Sequence, residues 1–474
     1  MNTSAVSPGR AGLLLLLSGQ MLPLIDTSIT NVALDAITHT LAATPRSWSL
    51  SSRCTASPLP SAWRWAVSLA ITMAAGACLC GASPSLASLP CCAVWRTASA
   101  PCWRPAPCRR GAALIVPQIL ATLHVTLKGP AHARAISLYG GIGGIAFIVG
   151  QMGGGWLVSA DIAGLGWRNA FFINVPICLL VLALSRRYVP ETRRETPSRI
   201  DWQGTLYLAL ILCCLLFPMA LGPELHWPLW LQLMLVAVLP LLFAMRQSAL
   251  RQQQRGDHPL LPPRLLQLTS IRFGMAIALL FFSAWSGFMF CMALTMQEGL
   301  GMAPWQSGNS FIALGVAYFI SALYAPRLIA RYSMGRILLT GLAVQIAGLL
   351  LLCATFSRFG VATSALTLVP ATALIGYGQA LIVNSFYRIG MRDISASDAG
   401  AGSAILSTLQ QATLGLGPAI LGSLFLALAR RGGGNYPQAL IDFLLVEVAM
   451  MLLLGAIALW LRHHLNRQPA TVAS

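Results

Sequence analysis

Ser333-Met-Gly-Arg-Ile-Leu-Leu-Thr-Gly-Leu-Ala-Val-Gln-Ile-Ala-Gly-Leu-Leu-Leu-Leu-Cys-Ala-Thr-Phe356 decides the fold. Arg336 stands near its start, and no other charge interrupts it. At a rise of 1.5 Å per residue, a helix of this length crosses a hydrocarbon core of roughly 30 Å. A helix is required, because a backbone exposed to lipid must satisfy its own hydrogen bonds. Ile271 to Met296 and Ala439 to Leu461 repeat the pattern. Over the 474 residues, 56% are hydrophobic and 9% are charged, a balance that a water-soluble globule with a solvated surface does not tolerate.

Apolar runs read against loop punctuation predict spans near 11–37, 111–127, 135–160, 169–185, 203–221, 229–245, 271–296, 308–330, 336–356, 363–387, 403–429 and 439–461. Ala62 to Gly81 is apolar enough for another, and residues 43–110 have room for two, which makes about fourteen transmembrane helices. Arginines alternate between loops. Arg186, Arg187, Arg193, Arg194 and Arg199 fill one, and Arg246, Arg251, Arg255 and Arg264 fill the next but one. Arg327, Arg331 and Arg336, then Arg388 and Arg392, then Arg462 and Arg467 continue the series. The positive-inside rule assigns these loops, and both termini, to the cytoplasm. Arg430 and Arg431 break the alternation.

The net charge of +18 is spread as short clusters between apolar segments, without the single basic stripe and interleaved aromatics of a nucleic-acid surface. Leu13 to Leu17 after Arg10 resembles a signal h-region, yet no small-residue cleavage site follows, and the run reads as a retained first span. Cys178, Cys213, Cys214, Cys291 and Cys353 lie inside apolar spans, where thiols behave as small hydrophobes. No His/Cys spacing suits a metal, and His463-His464 sits in a polar tail. No nucleophile/base pair or phosphate loop stands out, so neither enzyme chemistry nor a cofactor is expected.

Leu24-Ile-Asp-Thr-Ser-Ile-Thr-Asn-Val-Ala-Leu34 places an acid, Asp26, inside the first span. A charge there costs several kcal/mol unless it faces a wet cavity or a partner, which makes it a functional candidate. This stretch resembles the first helix of the major facilitator superfamily, specifically its fourteen-span drug:proton antiporters of the QacA/EmrB type, although Asp35 stands where that group has Pro. The resemblance continues through Gly111-Ala-Ala-Leu-Ile-Val-Pro-Gln118, Arg134-Ala135 and Gly150-Gln-Met-Gly-Gly-Gly155, which is similar to the antiporter motif with Gln151 replacing its Pro. Gly166-Trp-Arg, Phe172-Ile-Asn-Val-Pro176, Pro190-Glu191 and Asp201-Trp-Gln-Gly204 follow in order, then Gln297 with Gly301 and Gly308, Asp398-Ala-Gly-Ala-Gly402 and Gln410-Gln411. Together they cover about four fifths of the chain.

The resemblance implies an all-α membrane protein with two six-helix bundles and two extra central helices. Residues 1–199 would form the first bundle, 200–270 the extra spans and a cytoplasmic linker, 271–429 most of the second bundle, and 430–474 the last span and tail. It further implies proton-coupled efflux of amphipathic or cationic compounds across a bacterial inner membrane, by bundles that rock about a midplane site. Asp26 would exchange the proton, and Thr27, Asn31, Gln118 and Gln151 would line the substrate path. The expected partners are a small-molecule substrate, protons and the lipid bilayer. A metabolite transporter of the same fold would share these motifs.

Plainer readings stand beside these. Gly150, Gly153, Gly154 and Gly155 leave a smooth face for close helix packing. Asp26 could simply hydrogen-bond a neighbouring helix through Thr27 or Asn31. Arg134, Arg327, Arg331 and Arg336 are either topology signals or a gate latch. Glu447, in the last span, reads as a polar pairing residue.

Residues 46–110 resist this scheme. They hold seven of the twelve cysteines and five of the thirteen tryptophans, and no amphipathic period organises them. The resembled family has spans two and three here, joined by a Gly-x-x-Gly-Asp-x-x-Gly-Arg-Arg loop. In a shifted reading frame Met73-Ala74 and Trp65-Ala66 must each give Gly. Leu69 to Ala77 can then read Gly-Asp-His-Tyr-Gly-Arg-Arg-Arg, and Cys102 to Arg109 can read Leu-Ala-Ala-Arg-Ala-Leu-Gln. Two compensating indels near residues 45 and 110, whether real or from sequencing, would account for both. If real, they predict a damaged, non-functional transporter.

Overall fold

The computed structural model describes residues 149–171, 201–222, 227–255, 261–394 and 398–467, with Met21, Ile25, Ser28, Ile29, Ala33, Ala135, Leu138, Ile142, Gly143, Ile145, Ala146, Leu225 and Pro259. Asp26, Thr27, Asn31, Gln118, Arg134 and the anomalous 46–110 lie outside the described residues. Among the described residues the chain is helical, with no strand.

A π turn, Val149–Gly153, runs into helix α1, Gly154–Ala160. There follow α2 (Trp202–Leu221), α3 (Leu229–Gln254), α4 (Thr269–Gly299), α5 (Pro304–Tyr332), α6 (Met334–Phe359), α7 (Ala365–Gly390), α8 (Ala399–Arg431) and α9 (Tyr436–Arg467). Seven of the described helices, α3 to α9, are long and apolar enough to cross a membrane, and α2 contains a shorter apolar stretch. Their positions match the spans expected from hydropathy to within a few residues at most ends, except that α3 runs on to Gln254 where the expected span stops at 245.

The core forms where α4 to α9 meet. Phe281, Phe282, Phe288, Phe356, Phe386 and Phe443 are fully buried there. α6 packs on α7 and α9, α5 on α7, and α4 on α8. Polar groups inside these helices mostly turn back on their own backbone: Thr372 Oγ1 donates to the Leu368 carbonyl at 2.8 Å and Ser385 Oγ to that of Leu381 at 2.8 Å. This satisfies a hydroxyl without a partner helix. The α2–α3 hairpin docks through α2 on α8, where Ser423 Oγ donates to the Met219 carbonyl at 3.2 Å. α3 keeps Leu233, Val236, Leu239 and Phe243 exposed, a face that lipid solvates without cost.

Local sequence explains several ends. Asp201 caps α2 by accepting from the Gly204 amide at 2.7 Å, and Gln252 Nε2 of α3 donates to the same Oδ1 at 2.8 Å. The Asp-Trp-Gln-Gly motif is thus an N-cap that also ties the hairpin's two ends. Asp201→Ala is expected to lower stability by about 0.5–2 kcal/mol, read as an earlier thermal transition in detergent. In the turn after α1, Gly166 adopts φ +52°, a left-handed conformation that favours glycine, and its amide donates to Asp161 Oδ1 at 2.6 Å. Arg430 and Arg431, which break the loop alternation, end α8. A helix C-terminus carries partial negative charge that favours cations in its last turn, and this gives them a local reason to be there.

Candidate functional site

The Gly150–Gly155 run lies at a helix crossing with neighbours on two sides. A β-carbon on Gly150 would overlap Ser28 Oγ and come within 2.8 Å of the Ile25 carbonyl oxygen. One on Gly154 would lie 2.9 Å from Ile29 Cγ1. Ile25, Ile29, Ala33, Ala146, Val158 and Ala170 form one buried cluster around this contact. Ser28 remains satisfied because its hydroxyl donates to the Ile25 carbonyl at 3.0 Å. The small face read from sequence is therefore a packing face against the first span.

On its other side the same segment meets α5. A β-carbon on Gly308 would sit 2.5 Å from the Gln151 carbonyl oxygen and 3.3 Å from Met152 Cα. Residues 157 positions apart thus touch backbone to backbone, and the segment is wedged between the first span and a helix of the later half. Gln151 itself is 0% exposed, and neither side-chain amide atom has a hydrogen-bond partner among the described residues. An amide enclosed without partners is costly, so it marks either a hydration site or a group that finds a partner in another conformation. Nearby on α4, Gln297 Nε2 donates to Ser307 Oγ at 3.3 Å, while its Oε1 is buried without a partner. Gln151, Gln297, Ser307 and Gly308 make a polar seam beside a glycine-lined contact.

α4 is irregular in two places, and the second of them contains Gln297. π turns at Ala278–Phe282 and Thr295–Gly299 interrupt its ladder, and a third, Val149–Gly153, precedes α1. Such turns cluster at functional sites and bend helices. Sequence reasoning missed all three, since a π turn has no compositional signature.

The arginine turn read as a topology signal or a gate latch lies on exposed residues. Arg327 stands over the Tyr324 ring at 5.8 Å and Arg331 over Tyr332 at 5.3 Å, and Arg336 is exposed at the start of α6. None of the three forms an ion pair with a described residue. A different arginine forms an ion pair: Arg264 pairs with Asp398 at 2.6 Å, joining the segment before α4 to the start of α8. Its guanidinium is 59% exposed, and exposed pairs contribute about 0–1 kcal/mol. Arg264→Ala is accordingly expected to leave thermal stability within about 1 kcal/mol of the parent. Further along the core, Tyr387 donates its hydroxyl to Gln410 Oε1, which brings the Gln410-Gln411 motif against α7. Among the described residues no cluster of His, Cys, Asp and Glu could hold a metal.

Both the sequence and the fold have known relatives. A profile of the Major Facilitator Superfamily matches residues 16–418. The chain is 29% identical over 316 residues to a "Probable actinorhodin transporter" of Streptomyces coelicolor, covering 67% of this chain and 55% of that protein. It is 28% identical over 425 residues to "Multidrug resistance protein Stp" of Mycobacterium tuberculosis, covering 86% and 74%. "Methyl viologen resistance protein SmvA" of Salmonella typhimurium is 28% identical, with 66% and 61% covered. The chain thus spans little more than half the length of the first of these relatives. Among solved structures, a POT family peptide transporter aligns with TM-score 0.58 at 15% identity, covering 98% of each chain. The human organic anion transporter MFSD10 aligns with TM-score 0.56 at 16% identity, covering 94% of this chain and 99% of that one. Both likenesses concern the fold.

Proposed function

The chain belongs to the Major Facilitator Superfamily, and on that premise we propose that it exports amphipathic or cationic toxic compounds in exchange for protons across a bacterial inner membrane. The observation that carries this reading is the agreement of its relatives, which are named for transport of actinorhodin, resistance to and export of tetracenomycin C, and resistance to puromycin and to methyl viologen. The finer assignment is to the fourteen-span drug:proton antiporters, with α2 and α3 as the extra central pair and both termini in the cytoplasm. The Asp26 motif and the glycine segment support it.

In this mechanism the glycine segment is the bearing. Smooth backbone faces let the two halves slide, because no side chain must be re-packed at the contact. A negatively charged Asp26 attracts a cationic substrate from the cytoplasmic side, and protonation from the outside releases it. Gln151 offers amide donors and acceptors at the moving seam.

Expression in an efflux-deficient bacterial host with ethidium as the probe tests the reading. Cells carrying the gene should accumulate less dye than controls, and a protonophore should erase the difference. Equal accumulation in both would contradict it. Because residues 46–110 read as a shifted frame, the coding DNA is to be sequenced across residues 40–115 first. A restored frame containing the Gly-Asp loop supports the shifted-frame reading, and a DNA sequence without that loop in the shifted frame refutes that reading.

A further inference from the structure

Glu447 is an acid that the mechanism above leaves unused. It lies in α9, is 1% exposed, and has no hydrogen-bond partner on either carboxyl oxygen among the described residues. The pairing role expected from sequence is therefore absent from this conformation. The titratable groups facing it are the thiols of Cys291 on α4 and Cys353 on α6, both buried. α8 also packs on α9 and carries no titratable side chain between Asp398 and Arg430. On α9 itself the nearest is Asp442, five positions away.

An anion enclosed in this way, with no donor and no cation beside it among the described residues, is strongly disfavoured, whereas a neutral carboxyl is tolerated. A proton held there can leave only when the surrounding helices re-form and water enters. α4 has the means, since its two π turns bracket Cys291, the residue it presents to Glu447. We infer that Glu447 is a second proton-binding site of the transport cycle, occupied in the conformation described here and emptied in the opposite one. This rests on the proton-driven reading proposed above.

The test uses the full-length protein in liposomes, with dicyclohexylcarbodiimide as a probe of protonated carboxyls in apolar surroundings and ethidium as the transported dye. Mass spectrometry should find Glu447 modified in acidic buffer and several-fold less modified in alkaline buffer. Glu447→Gln and Glu447→Leu should remain monodisperse, because an unpartnered carboxyl contributes no bond whose loss would unfold the protein. Both should move ethidium with a smaller proton-to-dye ratio and a flattened pH profile. Absence of modification at every pH, or an unchanged ratio and pH profile in both variants, would overturn the inference. If the parent protein itself shows no proton-coupled dye flux, the export reading fails instead. The labelling arm then judges Glu447 alone: pH-dependent modification upholds the site and its absence removes it.

Discussion

Gly150→Leu is expected to eliminate the folded, active protein. The side chain would have to enter space occupied by Ser28 Oγ and by the Ile25 backbone, whose carbonyl oxygen lies 2.8 Å from the first added carbon. Backbone cannot rotate away as a flexible side chain can, so the two helices must separate and the small cluster of Ile25, Ile29 and Ala146 must open. Overpacking by a few methylenes costs about 1–3 kcal/mol in a well-packed core, and a clash against backbone belongs at or above the top of that range. Size-exclusion profiles in detergent should lose the monodisperse peak for Gly150→Leu, and thermal melts should show an earlier transition for Gly150→Ala. Gly455→Ala is the matched control in α9, where the nearest atom to an added β-carbon is Leu342 Cδ1 at 3.9 Å. Removing a mid-helix glycine there should be neutral or stabilising by up to about 1 kcal/mol. A Gly150→Leu protein that keeps the parent's thermal transition would refute the close crossing.

Asp26→Asn is expected to abolish active efflux while leaving the protein folded. Asparagine preserves shape and hydrogen-bonding capacity but cannot change charge, so a merely structural Asp26 would tolerate it and a proton carrier would not. Ethidium accumulation in cells carrying the variant should equal that of cells without the gene, at parent levels of protein in the membrane. Asp26→Glu, which keeps the titratable group, should retain part of the activity. Full efflux by Asp26→Asn would return the residue to the structural reading.

The membrane helices were readable because span length and apolarity are written in consecutive residues, and 271–296, 336–356 and 439–461 lie within α4, α6 and α9. Asp201 and Gly204 are three positions apart, so their motif could be seen as a family likeness, although neither its role as a cap nor Gln252 as a second donor was read from it. What escaped were contacts between distant segments. Nothing in the sequence near Gln151 indicates that its carbonyl will rest against Gly308, and nothing near Arg264 names Asp398 as its partner. The π turns escaped for another reason. They follow from how a helix accommodates its neighbours, a property of packing and not of composition. Glu447 shows the same division, since its position inside an apolar span was evident while its lack of a partner depended on three other helices.

Proton movement in inverted membrane vesicles decides whether the protein is a proton-driven exporter. With a preset acid interior reported by a quenched weak-base fluorophore, adding ethidium should cause a rise in fluorescence as protons leave in exchange for dye. The rise should be missing from vesicles carrying Asp26→Asn. A parent protein that gives no ethidium-dependent rise, or an Asp26→Asn variant that gives an undiminished one, would contradict the proposal.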